Sequence, residues 1–103
     1  MAGEKLFENK IKKFLKERGC WYVKYFANRN TRSGVPDILA CVNGHFVAIE
    51  VKAENGKPTE LQKWNLKKID ECGGFAMLLY PNEWNYFTAT IDALLQEEVN
   101  KCK

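Results

Sequence analysis

A chain of 103 residues, 46% hydrophobic and 28% charged, can bury one core and hardly two, so a single domain over residues 1–103 is expected. No apolar run approaches a membrane span, and the first residues, Met-Ala-Gly-Glu-Lys, lack the apolar stretch of a signal peptide; a cytoplasmic protein is expected. The net charge of +3 conceals an asymmetry: residues 1–32 carry nine Lys or Arg against three Glu (+6), and residues 33–103 carry seven against ten acids (−3). A basic first third suits a polyanionic partner, although a Lys-rich helix face can equally be solvated surface.

Four cysteines, Cys20, Cys41, Cys72 and Cys102, are widely spread with no Cys-x-x-Cys, and His45 is the only histidine. Zinc ligation is not expected from that set. Free thiols are, with Cys41 as a small buried hydrophobe.

Glu4 to Arg18 reads as a helix, with Phe7, Ile11, Phe14 and Leu15 at helical spacing and Gly19 to end it. Glu8 borders the apolar stripe and could simply pair with Lys12 at i,i+4. Trp21 to Phe26 is aromatic and β-branched, hence a strand. Ala27 to Ser33 is a polar loop carrying Arg29 and Arg32, whose forked guanidinium groups suit phosphate oxygens. The plain alternative is a solvated loop.

The stretch Gly34 to Lys52, GVPDILACVNGHFVAIEVK, is the most informative. Asn43-Gly44 between two apolar runs is a strong hairpin signal, because a type I′ turn needs positive φ at both central residues. With those two as the loop, Val42 faces His45, and the register carries back to Asp37 opposite Glu50. Directly opposed residues share a face with Cβ atoms roughly 5 Å apart. Two carboxylates there repel unless a cation sits between them. Lys52 points to the same face, two residues beyond Glu50. The other pairs are apolar on both faces, so both faces are expected to be covered. Pro36 is tolerated where it stands, at a strand's beginning.

Ala53 to Lys57 reads as a short polar loop. Thr59-Glu60-Leu61-Gln62 fits a capping box, with Thr59 as N-cap and Gln62 at N3. Leu61, Trp64, Ile69 and Cys72 would mark the apolar side of that helix, ended by Gly73-Gly74. Phe75 to Tyr80 is a buried strand by its run of apolar residues. Pro81 to Asn85 reads as a turn, and Trp84, Tyr86 and Phe87 as a short edge strand. Thr90 can cap a last helix with Ile91, Leu94, Leu95 and Val99 at helical spacing. The last four residues are expected to fray.

An Asp, a Glu and a Lys converging on one spot supply what metal-assisted phosphodiester hydrolysis needs. Hard oxygens hold Mg²⁺ or Mn²⁺, the cation polarises the phosphate and acidifies a bound water, and the Lys orients that water or stabilises developing charge. Pro36-Asp37 followed by Glu50-Val51-Lys52 resembles the PD-(D/E)XK nuclease superfamily. With Gly34-Val35 and Gln62, the chain is similar to the small stand-alone VRR-NUC nucleases of phages, and next to archaeal Holliday-junction resolvases, from about Glu8 to about Tyr80.

The resemblance implies an α/β (α+β) restriction-endonuclease-like α-β-β-β-α-β core, a central mixed sheet flanked by helices. It implies Mg²⁺ or Mn²⁺ on Asp37, Glu50 and the Val51 carbonyl, with Glu8 contributing directly or through water; Glu4, one turn earlier, is the residue with which Glu8 could be confused. It implies Lys52 as the catalytic lysine and Gln62 as a residue positioning water or phosphate, a role in competition with its place in the capping box. It implies branched DNA as substrate, a four-way junction or flap, cut by a homodimer, with no membrane and no small-molecule cofactor; a phage-encoded protein would work in the cytoplasm of a bacterial host. The rival is a catalytically inactive DNA-binding member of the same fold. A scaffold docking through Trp84 to Phe87 ranks last.

Overall fold

The computed structural model describes residues 2–98. Helix α1 (Ala2–Glu17) leads into strands β1 (Trp21–Lys24), β2 (Ile38–Val42) and β3 (His45–Val51); then come helix α2 (Glu60–Glu71), strand β4 (Phe75–Leu79), a 3₁₀ turn (Pro81–Glu83) and helix α3 (Trp84–Gln96). The strands form one sheet in the order β1-β2-β3-β4, antiparallel except for the parallel β3–β4 pair. The α-β-β-β-α-β core expected of the sequence is therefore present, with three helices flanking a mixed sheet. The β3-α2-β4 crossover is what parallel pairing of neighbouring strands requires.

The hairpin register is the one set by Asn43-Gly44. Val42 pairs with His45 and Ile38 with Ile49, and Asn43 and Gly44 both have positive φ, 51° and 85°. Alternation then divides the sheet. Ile38, Ala40, Val42, Val47, Ile49 and Val51 point into the main core, where Phe7, Ile11 and Leu15 of α1 and Phe87, Ile91 and Leu94 of α3 meet them. Phe14, Trp84 and Phe87 pack edge-on or tilted, with centroids 5.5–5.6 Å apart, tying α1 to α3.

Four expectations need correcting here. Trp84 to Phe87 is the first turn of α3 and not an edge strand; the Phe87, Ile91, Leu94 spacing gives a buried stripe that outweighs the β-propensity of the aromatics. Thr90 accordingly lies inside that helix, its hydroxyl donating to the Tyr86 carbonyl at 2.8 Å, and Val99 falls outside the described residues. Cys41 is exposed and not buried. In α2 the buried residue is Asn65, whereas Leu61, Trp64 and Cys72 are exposed.

The second face of the sheet is covered only in part. Trp21, Cys41 and Phe46 stand in register across three strands, and Trp21 and Phe46 are 63% and 48% exposed. The hairpin is thus covered on both faces only away from its turn. Among the described residues no helix is long and apolar enough to cross a membrane.

Gly34 brings α2 down beside the start of β2. Its φ is +77°, and a Cβ there would lie 2.6 Å from Leu61 Cγ and 2.8 Å from Asn65 Nδ2. Gly34→Ala is expected to cost about 1–3 kcal/mol through the left-handed backbone and the displaced helix. Urea unfolding measures it, and Gly3→Ala, in open space, is the control.

Candidate active site

The β2–β3 ladder ends at Ile38 and Ile49, one step before Asp37 and Glu50. Asp37 stays at that position through the backbone: its carbonyl accepts from Tyr25 N–H at 2.8 Å, and its Oδ2 accepts from Val51 N–H at 2.8 Å. On the other side of β3, Lys52 N–H donates to the Leu79 carbonyl at 3.0 Å, which pins the Glu50-Val51-Lys52 segment onto β4.

Glu50 is 2% exposed, and its Oε1 has no hydrogen-bond partner. Its Oε2 lies 3.7 Å from Lys52 Nζ, an ion-pair distance too long for a hydrogen bond. Burial, the charge of Asp37 and a hydrogen-bonding contact with that carboxyl push the Glu50 pKa up to about 8; Lys52 opposes the shift, and Glu4 adds to it. The expected convergence of Asp37, Glu50 and Lys52 is therefore found. The stem of Lys52 packs where a Cβ on Gly56 would meet its Cδ at 3.3 Å, and Tyr80 hydroxyl holds the Gly56 carbonyl at 2.7 Å. The loop after β3 thus wraps the lysine.

Glu8 comes from the main-core side and is 4% exposed. Three lysines surround it: Lys24 Nζ at 2.8 Å from Oε1, and Lys12 and Lys5 at 3.2 and 3.7 Å from Oε2. Burial alone would raise its pKa; the hydrogen bonds and charges of Lys24 and Lys12 outweigh that and hold it below the ordinary value. Lys24 also reaches Asp37 Oδ1 at 3.4 Å, so it links Glu8 to the carboxylate pair. Glu4, by contrast, touches the site only through its charge on Glu50.

Lys24 was not read as a site residue from sequence. The signal was available in strand parity: it is the one charged side chain of Trp21-Tyr22-Val23-Lys24, in register with Ile38 and therefore on the core face. A half-buried lysine favours a counter-charge, and Glu8 and Asp37 provide it.

Gln62 does form the capping box. Its Oε1 accepts from Thr59 N–H at 2.9 Å, and its own N–H donates to Thr59 Oγ1 at 3.1 Å. Its amide nitrogen makes no bond within the capping box. Arg29 and Arg32 are exposed on the loop before Gly34. That loop has local order: Asn30 N–H donates to Asn28 Oδ1 and Asn28 N–H to Thr31 Oγ1, both at 2.7 Å. Arg32 Nη2 reaches Asn65 Oδ1 at 3.3 Å, and its carbonyl accepts from Tyr25 hydroxyl at 2.7 Å, so the loop is anchored to α2 and β1. A groove of about 430 Å³ runs from Arg32 and Pro36 past Phe46 to Ile69, alongside the carboxylates and not over them.

Among the described residues no three His, Cys, Asp or Glu side chains form a ready cage for a metal ion. A site of two carboxylates fits Mg²⁺ all the same, since that ion commonly keeps waters and substrate phosphate oxygens among its ligands. The partnerless buried Oε1 of Glu50, held against a second carboxylate, is the observation that fits a hard cation there.

Comparison with curated proteins and with solved structures found no match. A family model does match, the archaeal Holliday junction resolvase (Hjc) model, over residues 2–79. That span runs from α1 through β4 and contains Glu8, Lys24, Asp37, Glu50 and Lys52. A match over most of the chain, with the PD-(D/E)XK residues gathered at the open end of the hairpin, makes this protein a member of the archaeal Holliday junction resolvase (Hjc) family of endonucleases, within the PD-(D/E)XK superfamily.

Proposed function

We propose that the chain is an Mg²⁺- or Mn²⁺-dependent endodeoxyribonuclease that cuts branched DNA, four-way junctions or flaps, as a homodimer. The observation that carries the reading is Glu50: a carboxyl group only 2% exposed, with a partnerless oxygen, beside the carboxylate of Asp37, an environment that raises its pKa. In this reading residues 1–103 are one nuclease domain of the VRR-NUC kind, acting in the cytoplasm of its host.

Asp37, Glu50 and the Val51 carbonyl would hold the ion, and Glu8 would contribute from its lysine cluster. The cation would supply Lewis-acid polarisation of the scissile phosphate. Lys52, wrapped by the following loop, orients the attacking water and faces the negative charge that develops on the phosphate. Gln62 would contribute through its amide while its oxygen accepts from Thr59 N–H. Arg29 and Arg32 would grip phosphates upstream of Asp37.

A second copy would dock on the exposed row of Trp21, Cys41 and Phe46. The apolar strand and aromatics after Phe75 are the surface that the sequence alone favours for a second copy; there Met77, Leu79 and Phe87 are buried in the core, and Phe75 and Tyr86 are exposed. Two sites at a fixed spacing would give selectivity for branch shape without reading bases.

The test is a cleavage panel of four-way junction, flap, linear duplex and single-stranded DNA, with Mg²⁺, with Mn²⁺ and with chelator. Cleavage that needs the ion and favours branched substrates is expected. Tight junction binding with no cleavage under any ion would instead favour an inactive DNA-binding member. Arg29→Ala with Arg32→Ala should weaken binding to every DNA and flatten the salt dependence by about one or two phosphate contacts. The order of junction over duplex should survive. A change in which base sequence is cut would mean that the loop reads bases.

A further inference from the structure

We propose that Lys24 is the resident cation of the metal-free site, and that a divalent ion binds only by displacing its ammonium from Asp37. The inference rests on the reading of Asp37 and Glu50 as metal ligands.

Asp37 has two oxygens, and both are engaged. Oδ2 accepts the Val51 amide at 2.8 Å, a bond that fixes the end of β3. Oδ1 faces Lys24 Nζ at 3.4 Å. Oδ1 has the longer and weaker contact of the two, so it is the oxygen a divalent ion would take, and two cations around one carboxylate oxygen repel strongly where water is scarce. Lys24 is mostly buried, with a side chain 20% exposed, so solvent screens that repulsion weakly. Its stronger bond, 2.8 Å, is to Glu8 rather than Asp37. Glu8 keeps Lys12 and Lys5 nearby if Lys24 moves.

Lys24 also has somewhere to go. Its Nζ already stands 5.9 Å from the ring centre of Phe26, which is exposed, so a rotation outward meets an aromatic face and solvent. The lysine thus does two things in opposite directions. Without metal it relieves the repulsion between Glu8 and Asp37, and with metal it competes. Metal affinity is set below what the carboxylates alone would give.

The experiment is calorimetric titration of Mn²⁺ into the wild type, Lys24→Gln and Lys24→Arg, with thermal melts of each. Lys24→Gln should bind Mn²⁺ about tenfold or more tightly than wild type, melt lower without metal and gain more from saturating Mn²⁺. Lys24→Arg keeps the charge and should bind no more tightly than wild type. A merely structural lysine would give a lower melting temperature with affinity unchanged or weakened, and that result overturns the inference. If Lys24→Gln is unfolded without metal, refolding on addition of Mn²⁺ supports it, and failure to refold overturns it. Should none of the three proteins take up Mn²⁺, the metal reading itself falls; wild-type uptake without a gain in Lys24→Gln removes only the present inference.

Discussion

Replacing Glu50 with Gln is expected to reduce cleavage by about 10²- to 10³-fold or more while raising the melting temperature of the metal-free protein at alkaline pH. Both effects come from one carboxylate. A metal ligand is lost, and so is a buried charge with a partnerless oxygen beside Asp37. The pH dependence follows from the raised pKa. Between its ordinary value of 4.5 and about 8, folded Glu50 keeps a proton that the unfolded chain has released. Its contribution to stability is complete below 4.5 and disappears as pH rises through about 8. Glu8, whose pKa is lowered, works the other way and loses its contribution as pH falls. Metal-free wild type should therefore melt lower at about pH 9 than at about pH 6, and Glu50→Gln should lose most of that slope. Scanning calorimetry across this range decides it; equal slopes in the two proteins would mean that Glu50 is already ionised and otherwise compensated. Asp37→Asn is a different case. Asp37 accepts the Val51 amide and faces Lys24, so removing its charge weakens the first contact and takes one of two counter-charges from the lysine, and a net gain in metal-free stability is not expected.

Lys52→Ala should lower cleavage by about 10²-fold or more while leaving Mn²⁺ affinity within a few-fold of wild type. Lys52 Nζ stands 3.7 Å from Glu50 Oε2, within ion-pair distance yet not hydrogen-bonded to it. In the proposed reading it acts on a bound phosphate and does not hold Glu50 in position. Single-turnover cleavage at saturating Mn²⁺ separates the two roles. A rate near wild type would remove Lys52 from the chemistry, and a large fall in Mn²⁺ affinity would make it a support for Glu50.

The hairpin was legible because Asn43-Gly44 fixes both turn geometry and register, and register alone carries Asp37 to Glu50. The capping box at Thr59 was legible for the same reason, being local chemistry at fixed spacing. What was not legible depends on which surface meets which. Trp84 to Phe87 reads as strand until Phe87, Ile91 and Leu94 are seen to share one core with α1 and the sheet. Asn65 is buried in α2 because it bonds back to the Leu61 carbonyl and accepts from Arg32, partners that no periodicity reveals. Lys24 lies thirteen residues from Asp37 and sixteen from Glu8, and only the β1–β2 pairing brings them together.

The two strands that carry the acids are anchored unequally, and this has a kinetic consequence. The end of β3 is held from both sides, by Asp37 through the Val51 amide and by Leu79 through the Lys52 amide. Asp37 precedes the ladder and is fastened by side-chain and loop bonds alone. Local opening should then begin on the Asp37 side and free the Val51 amide first, while the Lys52 amide stays protected by β4. Hydrogen exchange at these two adjacent amides becomes a clock for how often the site comes apart. A cation bridging Asp37 and Glu50 should slow exchange at Val51 far more than at Lys52, so that site assembly could be timed without any DNA present.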